Sequence, residues 1–325
     1  MRWSSVGCLV LVVWVSGGSA AFGASYQLTD GTIVDPIRSV RDGTPHPYSG
    51  TDLAPGVDLQ DAGLGGADLR EAALAGADLR RAGLVGTDFR GADLSNADLR
   101  EAAGTIISLE GANLSGAQLS GMTGFSFRMT GANVRGATWV DSVADEARLS
   151  GADFSFADLR GWNASEANIR GASFVQANLD GASLEVFATD ADFSLSTLRG
   201  VSIAYIDDTP TTLRGASFRQ ADLSDASFYA YIVGGGLFVG RIDVDDTDFS
   251  GAILANAVGL GNTIGAALYD ANTDFTHAWS DLDATIPFDP IAAGWTLIPE
   301  PGTELLMGLG LVGLAAGRKA GRQSR

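Results

Sequence analysis

The sequence predicts an all-β solenoid of short extended pieces joined by corners, stacked coil on coil, with small irregular caps at its ends. Three observations predict it. From Leu59 to Leu184 a large apolar residue recurs at every fifth position, with four exceptions in 26 units. Alanine stands two places earlier in 19 of those units, as at Ala67, Ala77, Ala92 and Ala97. Proline is absent from Gly56 to Thr209. A helix would repeat its apolar residues about every 3.6 positions and a strand every two. A period of five with an inward pair at i−2 and i instead requires a bend in each unit. Glycine, 43 of 325 residues, suits the corners. Proline would delete a ladder donor, so its absence fits continuous stacking.

Composition sets the outer bounds. The 325 residues are enough for one large domain or two small ones, and apolar residues, 46% of the chain, allow a real core. The formal charge is −18, and Lys319 is the only lysine. Such a surface repels nucleic acid and anionic lipid. Solubility is its simplest role, with basic partners or divalent cations as alternatives.

From the N-terminus, Arg2 is followed by an apolar run from Val6 to Val15 and small residues from Ser16 to Ala21. Charge, short apolar core and small-residue exit describe a secretory signal peptide over residues 1–21. Cys8, the only cysteine, lies early in the apolar run, which argues against a lipid anchor. A mature chain without it would have no disulfide, so stability must come from packing and backbone pairing. Residues 22–52 are expected to cap or link, residues 53–255 to form the solenoid, and residues 256–298 to cap the far end. That last stretch holds Tyr269, Phe275, Trp279, Phe288 and Trp295. An open coil end is an unpaired edge and needs cover.

Within the solenoid, Ala67-Asp68-Leu69, Ala92-Asp93-Leu94 and Ala112-Asn113-Leu114 spell A-[DN]-[LF]. This closely resembles the signature of the pentapeptide-repeat family. The resemblance implies a right-handed quadrilateral parallel β-helix, in which four sides close a coil of twenty residues. Coils then stack about 4.8 Å apart. The 172 residues from Val57 to Phe228 would make about 8.6 coils and a rod of roughly 40 Å at that spacing.

The four exceptions are Gly104, Gly124, Ala144 and Ala164, twenty residues apart. In a twenty-residue coil they share one column, which Leu64 and Leu84 begin and Leu184 ends. Met122 and Trp162 replace alanine at i−2 beside two of them, a large-for-small swap that conserves volume. Ala102 and Ser142 do not compensate in this way. This side is expected to bulge, loop out or carry a shallow groove, either as repaired drift or as a partner-binding face. After Leu184 the period resumes one place out of phase on Phe193, Leu198 and Ile203, which suggests an indel near 186–192 looping out between coils. Residues 207–212, with Pro210, interrupt it again. Residues 230–240, with three consecutive glycines from Gly234, read as a turn or cap.

Catalytic chemistry finds little support, and no catalytic, cofactor or metal residue is assigned. Without the terminal segments the chain has neither cysteine nor lysine. His46 and His277 fall in opposite caps. Asp243, Asp245, Asp246 and Asp248 are dense enough in oxygen for Ca²⁺, but the EF-hand pattern fails at the sixth position and at Leu254. Asp58, Asp78 and Asp98 should stack as like charges, a repulsion that cations could relieve.

The C-terminus has Pro299-Glu300-Pro301, an apolar stretch from Leu305 to Ala316, then Arg318, Lys319, Arg322 and Arg325. This resembles the PEP-CTERM sorting signal of Gram-negative bacteria. The resemblance implies an exosortase as processing partner, acting near the Pro-Glu-Pro. The basic tail would stay cytoplasmic. The apolar stretch would span roughly 20 Å against a hydrocarbon core of about 30 Å, which suits transient insertion in the inner membrane. Gly308, Gly310 and Gly313 spell G-x-G-x-x-G without the strand and βαβ unit that a dinucleotide site needs. Removing both terminal segments takes away five positive charges and Glu304, leaving 16 positive against 38 negative, a net of −22.

Two functions follow. One is an exported, non-enzymatic scaffold delivered to the cell surface or extracellular matrix, with a protein or polysaccharide partner there and no nucleic acid. The other draws on the family, some of whose members present an acidic rod to the DNA site of gyrase. The signal peptide argues against that cytoplasmic target.

Overall fold

A computed structural model describes residues 24–122, 126–205, 211–230 and 241–299. Residues 1–21 and 300–325, with both sorting segments, lie outside the described residues, as does Gly124.

Each unit of five makes one side and one corner. At the first corner the Ala62 amide donates to the Leu59 carbonyl at 3.0 Å, and Asp61, between them, has φ 59°. That left-handed third residue is the type II turn pattern. It recurs every five residues, on glycine at Gly66, Gly76 and Gly86 and on other residues at Glu71 and Arg81. Between corners the chain is extended, so the residues at i−2 and i point inward and the one between them points out. Leu59, Leu64, Leu69 and Leu74 are sealed in the core, with Ala67, Ala72 and Ala77 beside them.

Coils stack by parallel pairing at a step of twenty: Asp58 bridges Asp78, and Asp78 bridges Asp98. The Leu59 amide donates to the Asp78 carbonyl (2.7 Å), and the Asp78 amide to the Val57 carbonyl (2.9 Å). Repeated round four sides, this makes the right-handed quadrilateral β-helix. One inward column becomes an aromatic stack. Phe154, Phe174, Phe193, Phe218 and Phe249 lie parallel with centroids 4.8–5.2 Å apart. Such stacking adds to burial at each step.

The slip after Leu184 is a shortening, not the loop expected near 186–192. Asn163–Asn168 (β5), Ser183–Phe187 (β6), Ser202–Tyr205 (β7) and Ser227–Ala230 (β8) pair as a parallel sheet on one side. Ser165 faces Glu185, but Ala167 faces Val186, so Glu166 bulges from β5. Residue β6 lacks is the one that would turn the corner, and the strand runs straight through it. Beyond it, coil steps are 19 (Asn178 to Thr197), 25 (Thr197 to Asp222) and 31 (Asp222 to Ile253). The two enlarged steps contain residues 206–210 and 231–240, outside the described residues.

At the N-terminal end, Tyr26–Gln27 (β1) pairs antiparallel with Ile33–Val34 (β2), and Arg38–Ser39 (β3) with Ala67–Asp68 (β4) of the first coils. Tyr26, Ile37 and Leu53 close the core there. At the far end the ladder continues through Asp248 to Leu268 and Ile253 to Asp274. Trp295 stacks on Phe249 at 5.0 Å and meets Phe275 and Phe288 edge-on, so one indole completes the aromatic column.

Candidate partner-binding edge

The side carrying Gly104, Ala144 and Ala164 stays closed. All three are buried, and the ladder runs through it from Gly83 to Ala103 and from Val143 to Asn163. Its lost volume is refilled from neighbours. Trp162 is fully buried and packs 5.8 Å from Trp139, and Met122 is buried as well. Beside Gly104 the filler comes from the next side: an ideal Cβ there would lie 2.5 Å from Ile107 Cδ1. Ser142 turns its hydroxyl to the Val140 carbonyl at 2.9 Å. The outward residues of this side, Gly63, Gly83, Ala103, Val143, Asn163 and Ser183, carry no charge. On another side the same position holds Asp58, Asp78, Asp98 and Asp158.

The irregularity surfaces at the corner that follows this side. Its left-handed position runs Gly66, Gly86, Ile106, Ser126, Glu146, Glu166. The bulge, the shortened turn and both enlarged steps then fall on the same corner, between the columns of Leu184, Ile203 and Phe228 and those of Ala188, Leu213 and Val244. Ile106 is half-exposed with φ 58°, the one β-branched residue in this conformation among the described residues. That backbone costs such a residue about 1–3 kcal/mol.

A trough of about 660 Å³ lies along this corner, between Ile106 and Glu166. Its floor position is the outward column of the next side, which reads Asp68, Asp88, Ser108, Arg128, Arg148, Asn168. In the first coils each aspartate is clasped by the arginine two places on: Arg70 on Asp68 (2.7 Å) and Arg90 on Asp88 (2.6 Å). In the trough the order inverts. Arginine takes the aspartate's place, and Thr130 and Ser150 take the arginine's. Arg128 and Arg148 are ladder neighbours, and neither has an ion pair or side-chain hydrogen bond among the described residues. Glu146 and Glu166 line the other wall. Ser126 Oγ donates to Glu146 Oε2 at 3.2 Å, and Ser150 Oγ to Asn168 Oδ1 at 3.0 Å.

The pentapeptide-repeat family model matches residues 62–101, 128–163 and 147–185, in eight copies, and the PEP-CTERM protein-sorting motif matches residues 297–320. The chain carries pentapeptide repeats. No curated protein matches this pentapeptide-repeat chain. Among solved structures it is similar to HetL from the cyanobacterium Nostoc sp., a pentapeptide repeat protein involved in heterocyst differentiation regulation. The identity is 28% over 70% of this chain and 86% of that one, with a TM-score of 0.31. It is also similar to full-length QnrB1, a plasmid-mediated fluoroquinolone resistance protein, at 19% identity over 60% and 90% of the two chains and a TM-score of 0.29.

Other expected sites in this repeat-bearing chain resolve differently. The aspartate columns are relieved by arginine. Arg80 clasps Asp78 and also reaches Asp98 at 3.7 Å, so one guanidinium serves two coils. Asp68, Asp98 and Asp158 are held below the usual carboxylate range, first by hydrogen bonds from Arg70, Arg100 and Arg160. The acidic run from Asp243 is dispersed. Asp245 pairs with Arg214 (2.5 Å), while Asp248 caps the Ser250 amide (2.8 Å) and lies 3.4 Å from Arg219. His46 is buried in the N-terminal cap. Its Nδ1 accepts from the Tyr48 amide (3.1 Å), so Nε2 donates to the Gly65 carbonyl (2.9 Å). That is a packing role. His277 stands exposed on a corner at φ 55°. Pro299 is exposed at the end of the described cap, and Glu300, Pro301, Arg318 and Lys319 lie outside the described residues.

Proposed function

We propose that this protein is an exported, non-enzymatic scaffold. A signal peptide over residues 1–21 starts its export. Residues 53–255 form the repeat body between the caps 22–52 and 256–298. The segment 299–325 holds it briefly in the inner membrane of a Gram-negative bacterium, until an exosortase processes it for the cell surface or matrix. The observation that carries this reading is the sorting motif at residues 297–320, which begins where the aromatic cap closes the rod. The uncharged side with Gly104, Gly124, Ala144 and Ala164, together with its following corner, is the partner-binding face. The gyrase alternative draws less support, because arginine clasps neutralise much of the aspartate column such mimicry would present.

Replacing Pro299, Glu300 and Pro301 with alanine in the native cell tests the processing step. The variant should accumulate uncleaved in the inner-membrane fraction. A variant of wild-type size in the wild-type fraction would contradict it.

A further inference from the structure

We infer that the trough at Arg128 and Arg148 is a binding site for an acidic glycan, whose carboxylates the two guanidiniums engage. In a chain of net charge −18, ten arginines of the described residues are spent on aspartates. Arg128 and Arg148 are spent on none, although they are adjacent rungs of one ladder. Two guanidiniums carried on rungs whose backbones lie about 4.8 Å apart repel each other until an anion bridges them. Each presents a planar fork that matches a carboxylate in bidentate fashion.

The rest of the trough selects among anions. Glu146 and Glu166 stand opposite the arginines, and Asn168, Ser150 and Thr130 lie beside them. A DNA backbone would bring no hydroxyl donor to those two carboxylates, which disfavours it there. A sugar chain has hydroxyls for the same carboxylates and amide to accept and donate, with acid groups spaced along it for the arginines. The trough is open and runs along the stacking direction, so it suits a chain laid lengthwise more than an enclosed small molecule. At physiological ionic strength the remaining negative surface is screened beyond about 8 Å, so short-range pairing with the arginines decides the outcome. Ile106 stands at the rim in its left-handed backbone, offering an apolar edge to a sugar face.

This inference deepens the scaffold reading by naming the partner's chemistry, and it is tested separately from export. Isothermal titration of the purified protein with oligogalacturonate, in a chelating buffer that removes Ca²⁺ bridges, should give binding. The neutral malto-oligosaccharide of equal length should give none. Arg128→Gln with Arg148→Gln should weaken binding about tenfold or more, as loss of charge-assisted hydrogen bonds does. Arg170→Gln, on the same side but outside the trough, should leave it unchanged. Melting of the double variant should be no lower than that of the wild type, because neither guanidinium holds the fold and their mutual repulsion is removed. Absence of heat with oligogalacturonate, equal binding of the neutral chain, or full binding by the double variant would overturn the inference. None of these results bears on where the protein is processed.

Discussion

The space beside Gly104 is already occupied. A Cβ built there meets Ile107 Cδ1 at 2.5 Å and the Leu84 backbone carbon at 3.0 Å. Gly104→Leu would restore the five-residue pattern, yet it should destabilise the protein by about 1–3 kcal/mol through overpacking. Adding Ile107→Ala should recover most of that loss, as expected for residues in direct contact. Chemical denaturation of the two variants checks both statements. A more stable single variant would show that the column is empty, not refilled. The large-for-small exchange at Trp162 could be read from the sequence, because it sits in the same unit as Ala164. The filling of Gly104 by Ile107 could not, because it crosses a corner and depends on a rotamer. The inverted order at Arg128 and Arg148 is visible in the sequence as R-x-T and R-x-S. Its meaning appears only once the D-x-R clasps at Asp68 and Asp88 have been seen.

Among elements, the sides of the rod are held by backbone ladders and laced by arginine–aspartate clasps. The stacked aspartates looked repulsive in sequence because charge was read down a column and not along the unit. Asp78-Leu79-Arg80 places the counter-ion two residues away and turns it back over its own carboxylate. The carboxyls of Asp68, Asp98 and Asp158 therefore titrate lower folded than unfolded. Their contribution is present above the ordinary aspartate pKa of about 4 and is lost as pH falls through the lower folded values. Thermal midpoints should thus stay level from pH 7 to about 5 and decline below about pH 4. A midpoint that holds or rises down to pH 2 would mean that the clasps contribute nothing. The shortened corner at Ser183–Phe187 shows the limit of phase counting. One missing residue shifts the period in the same way whether the chain loops or straightens, and only pairing with Asn163–Asn168 tells the two apart.

For the whole molecule, one corner takes up the coil steps of 19, 25 and 31, while the last coil re-spaces two other corners, where Asp243 pairs with Ile264, Asp248 with Leu268 and Ile253 with Asp274. A stacked ladder makes this economical, because an insertion between two columns leaves all the other columns in register. The period of five carried the rod from the sequence. The gathering of the steps of 19, 25 and 31 onto one corner needed the pairings counted on each side. The sorting motif at residues 297–320 gives the rod its destination in this account, so processing at both ends is the central claim. Intact-mass spectrometry of the protein from fractionated native cells tests it most directly. The mature species should lack about 20 N-terminal residues and end near Pro301, outside the cytoplasm. A full-length chain in the cytoplasm would contradict it.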